Sequence, residues 1–321
     1  MRGILIVLVV IGHSKASFAP YIYWFHIPAF FMLSGYLFKP VTSPTELKAF
    51  IKKKSLALLV PYSMFLVIFL LIRCFYNLGI NPHFDIGLEI KNALIGGRVI
   101  LGVYGTLWFI TAFYAAQILY ATIWVYGKKL WPVTMLVLAC YLLAHFESNL
   151  LFTRGHLRPV PLDLDVALLA VAYLHLGKLF KYVEEIYLSE MVLPLYTIIF
   201  TLVGTALIYT GATGTFFYRL DLKNIVYLHP LLDLVIPAIF FLAVLGICYY
   251  LVRFDTKHII VTLGLYSLPI MYTHTGIALA FKSITDLHWL LYTAIALPLS
   301  FAVGYMLNKW KRTQFLFLGK I

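Results

Sequence analysis

Apolar residues run in long blocks along this chain, and polar residues gather between them. Ten blocks approach the ~20 residues that a helix needs to cross a bilayer. They are 3–19, 21–38, 56–77, 105–126, 131–146, 164–181, 193–211, 231–252, 259–281 and 288–308. The pattern predicts an all-α, polytopic transmembrane helix bundle of about ten spans, forming one integral-membrane domain over 1–321. The first two blocks meet tightly around Ser17–Pro20, which predicts a helical hairpin. The longest polar connections, 78–104, 147–163 and 212–230, fall on one side and would cap a mouth that opens there. The second of them carries Arg154, His156, Arg158, Asp163 and Asp165.

Composition agrees with a membrane protein. The chain is 62% hydrophobic and 12% charged, with mean hydropathy +0.92, where soluble domains carry about 25% charged residues. Its 23 tyrosines and 25 phenylalanines suit aromatic belts at the interfaces. The net charge of +12 could suggest nucleic acid, but no basic soluble face exists to bind it. Topology accounts for the charge instead. With the N-terminus in the cytoplasm, sixteen Lys and Arg fall inside, among them Arg2, Lys48, Lys52–Lys54, Lys128, Lys178, Arg253 and Lys311. Nine fall outside: Lys15, Arg73, Lys91, Arg98, Arg154, Arg158, Arg219, Lys223 and Lys282. Both termini are therefore expected in the cytoplasm. The first block ends in His-Ser-Lys rather than at a small-residue cleavage site, so no signal peptide is expected. Cys74, Cys140 and Cys248 are too few and too scattered for a disulfide framework or a metal cluster.

Charged and titratable groups inside such blocks are candidates for function. Arg2 and His13 are eleven residues apart on one apolar stretch. That is about three helical turns, so both would project from nearly the same face, about 16 Å apart along the axis. A cation at one membrane face and an imidazole deeper on the same helix suit chemistry on an anionic cofactor. Each candidate also has a plainer reading. Arg2 is equally a helix-end anchor. His13, between Gly12 and Ser14, is equally a packed histidine. His26 and His274 are equally interfacial, Lys52–Lys54 equally solvated charges, and Trp108 equally a belt residue. His229 and Asp233, four apart, would meet on one helix face.

Several segments resemble one family. RGILIVLVVIGHS (Arg2–Ser14) and FHIPAFFMLSGYLF (Phe25–Phe38) resemble the start of the membrane-integral acyltransferase-3 superfamily, in its sugar O-acetylase branch of fucose O-acetylase-like and nodulation-factor acetylase-like proteins. The matching positions are Arg2, Gly3, Ile4, Gly12, His13, Phe25, His26, Pro28, Phe30, Phe31, Ser34, Gly35 and Tyr36. KKKSLALLVPY (Lys52–Tyr62), LWFITAFY (Leu107–Tyr114) and LGLYSLPIMYTH (Leu263–His274) are similar to later elements of that family. Proteins of this kind carry several residues before Arg-Gly-Ile, so residues preceding Arg2 are expected to be missing here.

The resemblance implies transfer of an acyl group, expected to be acetyl, from acyl-CoA to a hydroxyl of a carbohydrate or lipid-linked glycan. The expected setting is a bacterial plasma membrane, with membrane lipids around the bundle and no nucleic acid. His13 is the expected general base and His26 a second catalytic residue. Arg2, Lys52, Lys53 and Lys54 would meet the CoA phosphates, because basic side chains at the cytoplasmic face suit a cytoplasmic, phosphate-bearing donor. Trp108 and His274 are candidate substrate contacts. No metal is expected, since the ten histidines are dispersed rather than set at the spacings of di-iron oxygenases. Leu33-Ser34-Gly35 lacks the first glycine of an intramembrane serine protease motif, and no P-loop or Rossmann fingerprint occurs. Two alternatives stay open. One is a transporter or flippase-like carrier with His13, His26 and His274 as proton relays. The other is a non-catalytic partner in envelope glycan assembly.

Overall fold

The computed structural model describes residues 1–77, 84–154, 160–187, 193–252, 257–286 and 288–320. His156 and Arg158 of the second polar connection, and Arg253 of the inside set, lie outside the described residues.

Seven helices among the described residues are long and apolar enough to cross a membrane. The first is continuous over Pro44–Asn77. Its polar start, α4 (Pro44–Lys54), runs through a π-helical turn at Ser55–Leu59 into α5 (Val60–Asn77). Ser43 caps it: the Ser43 hydroxyl accepts from the Glu46 backbone N–H at 3.2 Å, and Glu46 accepts from the Thr42 N–H at 2.8 Å. This helix of 34 residues starts twelve residues before the expected span and is about 51 Å long by helical rise. That exceeds the ~30 Å hydrocarbon core, so its lysine-bearing first turns extend past it. After α6 (Ile86–Ile95) come α7 (Trp108–Gly127), α8 (Leu130–Arg154), α9 (Leu164–Tyr187), α10 (Leu193–Ala212) and α11 (Leu232–Leu251). A long helix α15 (Trp289–Leu307) and a short α16 (Lys311–Leu318) end the chain.

Burial separates the centre of the bundle from its rim. The apolar windows of the α7 and α9 spans are 67% and 61% buried, against 11% for α10. An apolar helix buried on all sides belongs to a core, and one left bare belongs against lipid. Helix α3 (His26–Tyr36) lies on α9 with backbones nearly touching. A Cβ on Gly35 would stand 1.8 Å from the Leu174 carbonyl oxygen, and one on Gly177 would stand 1.9 Å from that of Met32. Small residues permit this close crossing. It gives Gly35 of the second apolar block a packing role.

None of the three remaining expected spans is a single helix of spanning length. The 3–19 block forms only α1 (Arg2–Gly12), eleven residues and about 16 Å long. It stops because its last carbonyls find side-chain donors. Ser14 Oγ donates to Ile11 at 2.5 Å, Tyr23 OH donates to Gly12 at 2.5 Å, and Lys15 turns the chain with φ +60°. The 21–38 block divides into α2 (Ala19–Tyr23) and α3, broken at Trp24–Phe25. The 259–281 block divides at Tyr266 into α12 (Lys257–Leu265) and α13 (Ser267–Ala280), with α14 (Lys282–Thr285) following. Broken backbone at membrane depth is tolerated where protein surrounds it or a cavity lies beside it.

One departure from an all-helical chain is a small antiparallel hairpin, β1 (Leu220–Asp221) and β2 (Val226–Tyr227), with Leu220 opposite Tyr227. It is held from several sides. Trp24 Nε1 donates to the Tyr218 carbonyl at 2.9 Å, and Ser148 Oγ donates to that of Ile225 at 2.8 Å. Tyr141 OH donates to the Pro230 carbonyl. Two other connections meet it. Lys223 Nζ donates to the Ile100 and Gly105 carbonyls, while Arg98 pairs with Asp165 at 2.9 Å. The three long connections thus form one cap.

Arg2 and the chain end at Leu318–Gly319 line one cavity at the opposite end of the bundle. Both termini therefore share a face, as the basic residues imply. Single-cysteine labelling checks the orientation, in a background with Cys74, Cys140 and Cys248 replaced. Thr215→Cys should react with an impermeant maleimide on intact cells, and Lys320→Cys only after permeabilisation. Equal labelling of both would refute the assigned topology.

Candidate functional site

A cavity of about 510 Å³ opens under the cap. His13, Tyr23, His26 and Trp108 line it from the helices, and Tyr218, Asp221 and Lys223 line it from the hairpin. His13 caps the C-terminus of α1, and its exposed ring faces this space because the helix ends there. Tyr23 stands edge-on to His13 at 6.5 Å and lies 5.4 Å from the His26 ring. His274 of α13 is fully buried behind them, 5.1 Å from His13 between ring centroids.

Backbone carbonyls fix two of these imidazoles. His26 Nδ1 is 2.8 Å from the Ile22 carbonyl oxygen, and His274 Nδ1 is 2.9 Å from that of Ile270. A carbonyl only accepts, so each Nδ1 carries the proton and each neutral ring presents Nε2 as a bare lone pair. The His274 Nε2 has no hydrogen-bond partner. Three histidines from three broken segments therefore converge.

A second cavity, of about 280 Å³, lies at the Arg2 end. Arg2 and Lys54 bring positive charge to it, and Ser34, Ser267 and Gln117 bring polar groups. Phe30, Phe109, Phe113, Leu268 and Met271 make the rest of its lining mainly apolar. The Gln117 side-chain nitrogen is buried without a partner. The two cavities are close neighbours. Trp108 lines the outer one and the next residue, Phe109, the inner one, while Ile27 and Phe30 divide between them in the same way. Ile27 and Phe30 are one helical turn apart, so the same stretch of α3 borders both cavities.

The expected site residues thus fall into two groups. His13, His26 and Trp108 share the outer cavity, with His274 packed behind His13. Arg2 and Lys54 share the inner one. Lys52 and Lys53 do not join them and stay exposed on α4. His229 and Asp233 do meet, but through the His229 backbone N–H, which donates to the Asp233 carboxylate at 3.0 Å ahead of α11. The imidazole beside Asp233 is that of His145, at 3.2 Å, and neither residue lines the outer or the inner cavity. Among the described residues no group of three or more His, Cys, Asp or Glu is placed to hold a metal ion.

Sequence reasoning did not single out Tyr23, Trp24, Asp221, Lys223 or Gln117. Lys223 and Arg219 entered only as outside charges. The available signal was the stretch Phe216–Asn224, where three aromatic residues are followed by charged residues alternating with leucines, in a connection too short for a domain. Comparison with known proteins gives one match: a family model described as an acyltransferase domain, acyltransferase-3, covers residues 1–309. No curated protein and no solved structure matches the chain.

Proposed function

The chain belongs to the acyltransferase-3 family, and from that premise we propose that it transfers an acyl group, acetyl by preference, from acyl-CoA to a hydroxyl of a carbohydrate or lipid-linked glycan. Membership makes it an acyltransferase, and its apolar helices make it a multi-pass membrane protein. The donor, the acceptor and a bacterial plasma membrane setting belong to the proposal.

One observation carries it. Helix α1 has Arg2 at one end in the inner cavity and His13 at the other end in the outer cavity. Arginine grips phosphate bidentately and keeps its charge, so Arg2, with Lys54, suits the CoA phosphates. The apolar inner cavity suits the acyl-bearing arm. The aromatic and polar outer cavity suits a sugar, with Trp108 and Tyr218 offering flat faces and Asp221 an acceptor.

In the proposed reaction the neutral His13 imidazole takes the proton of the acceptor hydroxyl as its oxygen attacks the thioester carbon. A C–O bond forms and the carbonyl electron pair moves onto oxygen. When the intermediate collapses, the C–S bond breaks and the imidazolium returns its proton to the departing CoA thiolate. His26, with Nε2 unprotonated, is an acceptor for a second substrate hydroxyl.

Purified protein should release CoA from acetyl-CoA, read with a thiol reagent. A strain lacking the gene should lose an acetyl increment from an envelope glycan. A carrier or a non-catalytic partner would release no CoA. Arg2→Ala should weaken acetyl-CoA binding about 10–100-fold, the range for hydrogen bonds to a charged group, and Arg2→Lys should recover only part of it. Unchanged affinity would return Arg2 to the role of a helix-end anchor.

A further inference from the structure

We propose that the Lys223 ammonium is a catalytic residue that donates a hydrogen bond to the oxyanion formed when the thioester carbonyl is attacked. The inference rests on the acyl-transfer reading above. It begins from a gap in that reading: His13 handles the proton, but nothing yet stabilises the negative charge that develops on the carbonyl oxygen. Preorganised donors aimed at that charge are commonly the largest single contribution to acyl transfer.

Lys223 fits the need on four grounds. It lines the same cavity as His13 and His26, and its charge acts on the His13 ring. It is held in place, with Nζ 3.3 Å from the Ile100 carbonyl oxygen and 3.0 Å from that of Gly105. An ammonium has three donors, and the two carbonyls take two of them, leaving one. Finally, no carboxylate pairs with it directly among the described residues, so its charge is not cancelled at contact distance. Asp163 and Asp221 act on it from further off, and burial holds it below the ordinary lysine value against their pull. A partly buried cation whose remaining donor is unassigned gains when an anion forms beside it.

The step balances. The acceptor oxygen bonds to the acyl carbon, its proton goes to His13, and the carbonyl π pair becomes the oxyanion lone pair that Lys223 binds. On collapse that pair re-forms the carbonyl, CoA leaves as thiolate, and the imidazolium proton goes to it. Lys223 begins and ends as an ammonium. Because the oxyanion exists only after attack, Lys223 lowers the barrier without tightening donor binding.

The experiment measures CoA release from acetyl-CoA with water as acceptor, on full-length protein in detergent, alongside acetyl-CoA binding. Lys223→Met should lower kcat about 10²–10³-fold, the loss typical of an oxyanion donor, with KM and donor affinity near wild type. Lys223→Arg should recover much of the rate. Lys223→Gln keeps a neutral donor for the two carbonyls and should stay monodisperse yet slow, which separates lost charge from a loosened hairpin. Unchanged kcat in a folded Lys223→Gln or Lys223→Met preparation overturns the proposal. So does a loss carried by KM, which would make Lys223 a binding group. If wild type and Lys223→Met release CoA equally while His13→Gln does not, only the oxyanion role fails. If wild type releases none, acyl transfer fails and this role with it.

Discussion

Replacing His13 with glutamine is expected to lower turnover about 10²–10⁴-fold, the range for removing a general base, while yield and acetyl-CoA binding stay near wild type. Glutamine is the informative choice because it keeps comparable size and hydrogen-bonding groups but takes no proton near neutral pH. A histidine that only packs against Tyr23 and His274 would tolerate it. The two readings also separate on acidification. Protonation removes the base, so the wild-type rate should fall at acidic pH as the His13 ring takes up a proton, and residual His13→Gln activity should lack that limb. Retention of most turnover by stably folded His13→Gln protein would make the residue structural and remove the mechanism proposed above.

The second large effect concerns assembly. Gly35→Val should leave little monodisperse protein, and what survives should melt well below wild type. The backbones of α3 and α9 meet where a Cβ on Gly35 would lie 1.8 Å from the Leu174 carbonyl oxygen. A carbonyl in a helix has no rotamer by which to move aside, so the helices must separate. Overpacking a tight core typically costs about 1–3 kcal/mol, and a clash with backbone belongs at the upper end or beyond. Ser34→Ala, one residue earlier and facing the inner cavity, should assemble normally. Equal yields and melting points for Gly35→Val and wild type would mean the crossing is looser than described.

These two residues mark what the sequence made legible. Both lie within the first 38 residues, where spacing and motif coincide. The long apolar helices were legible as well, since hydropathy over a window reports what a bilayer demands. The breaks were not. His13 faces a cavity because Ser14 and Tyr23 satisfy the carbonyls of Ile11 and Gly12, and hydropathy carries no record of a hydrogen bond that ends a helix. Tyr266 divides another apolar block just as silently. Lys223 was hidden for a different reason. It is 210 residues from His13 in the chain, and nothing local indicates that its loop folds back over α1. Lys52–Lys54 shows the opposite failing, for three adjacent lysines look alike in sequence while only Lys54 turns toward the inner cavity.

The wall between the cavities has an electrical consequence. A membrane's voltage falls across its low-dielectric part, and where polar spaces enter from both faces that part narrows. It is thinnest where the two cavities adjoin, at Trp108 and Phe109. A full elementary charge crossing 100 mV exchanges about 2.3 kcal/mol with the field. In an ordinary span this is spread over ~30 Å of hydrocarbon, whereas here it falls more steeply across the wall between the cavities. A neutral acyl group passes such a wall without electrical work. A CoA phosphate does not. The same partition that brings the two cavities within reach of each other therefore acts as an insulator, and it discriminates between what can be handed across and what must stay on its own side.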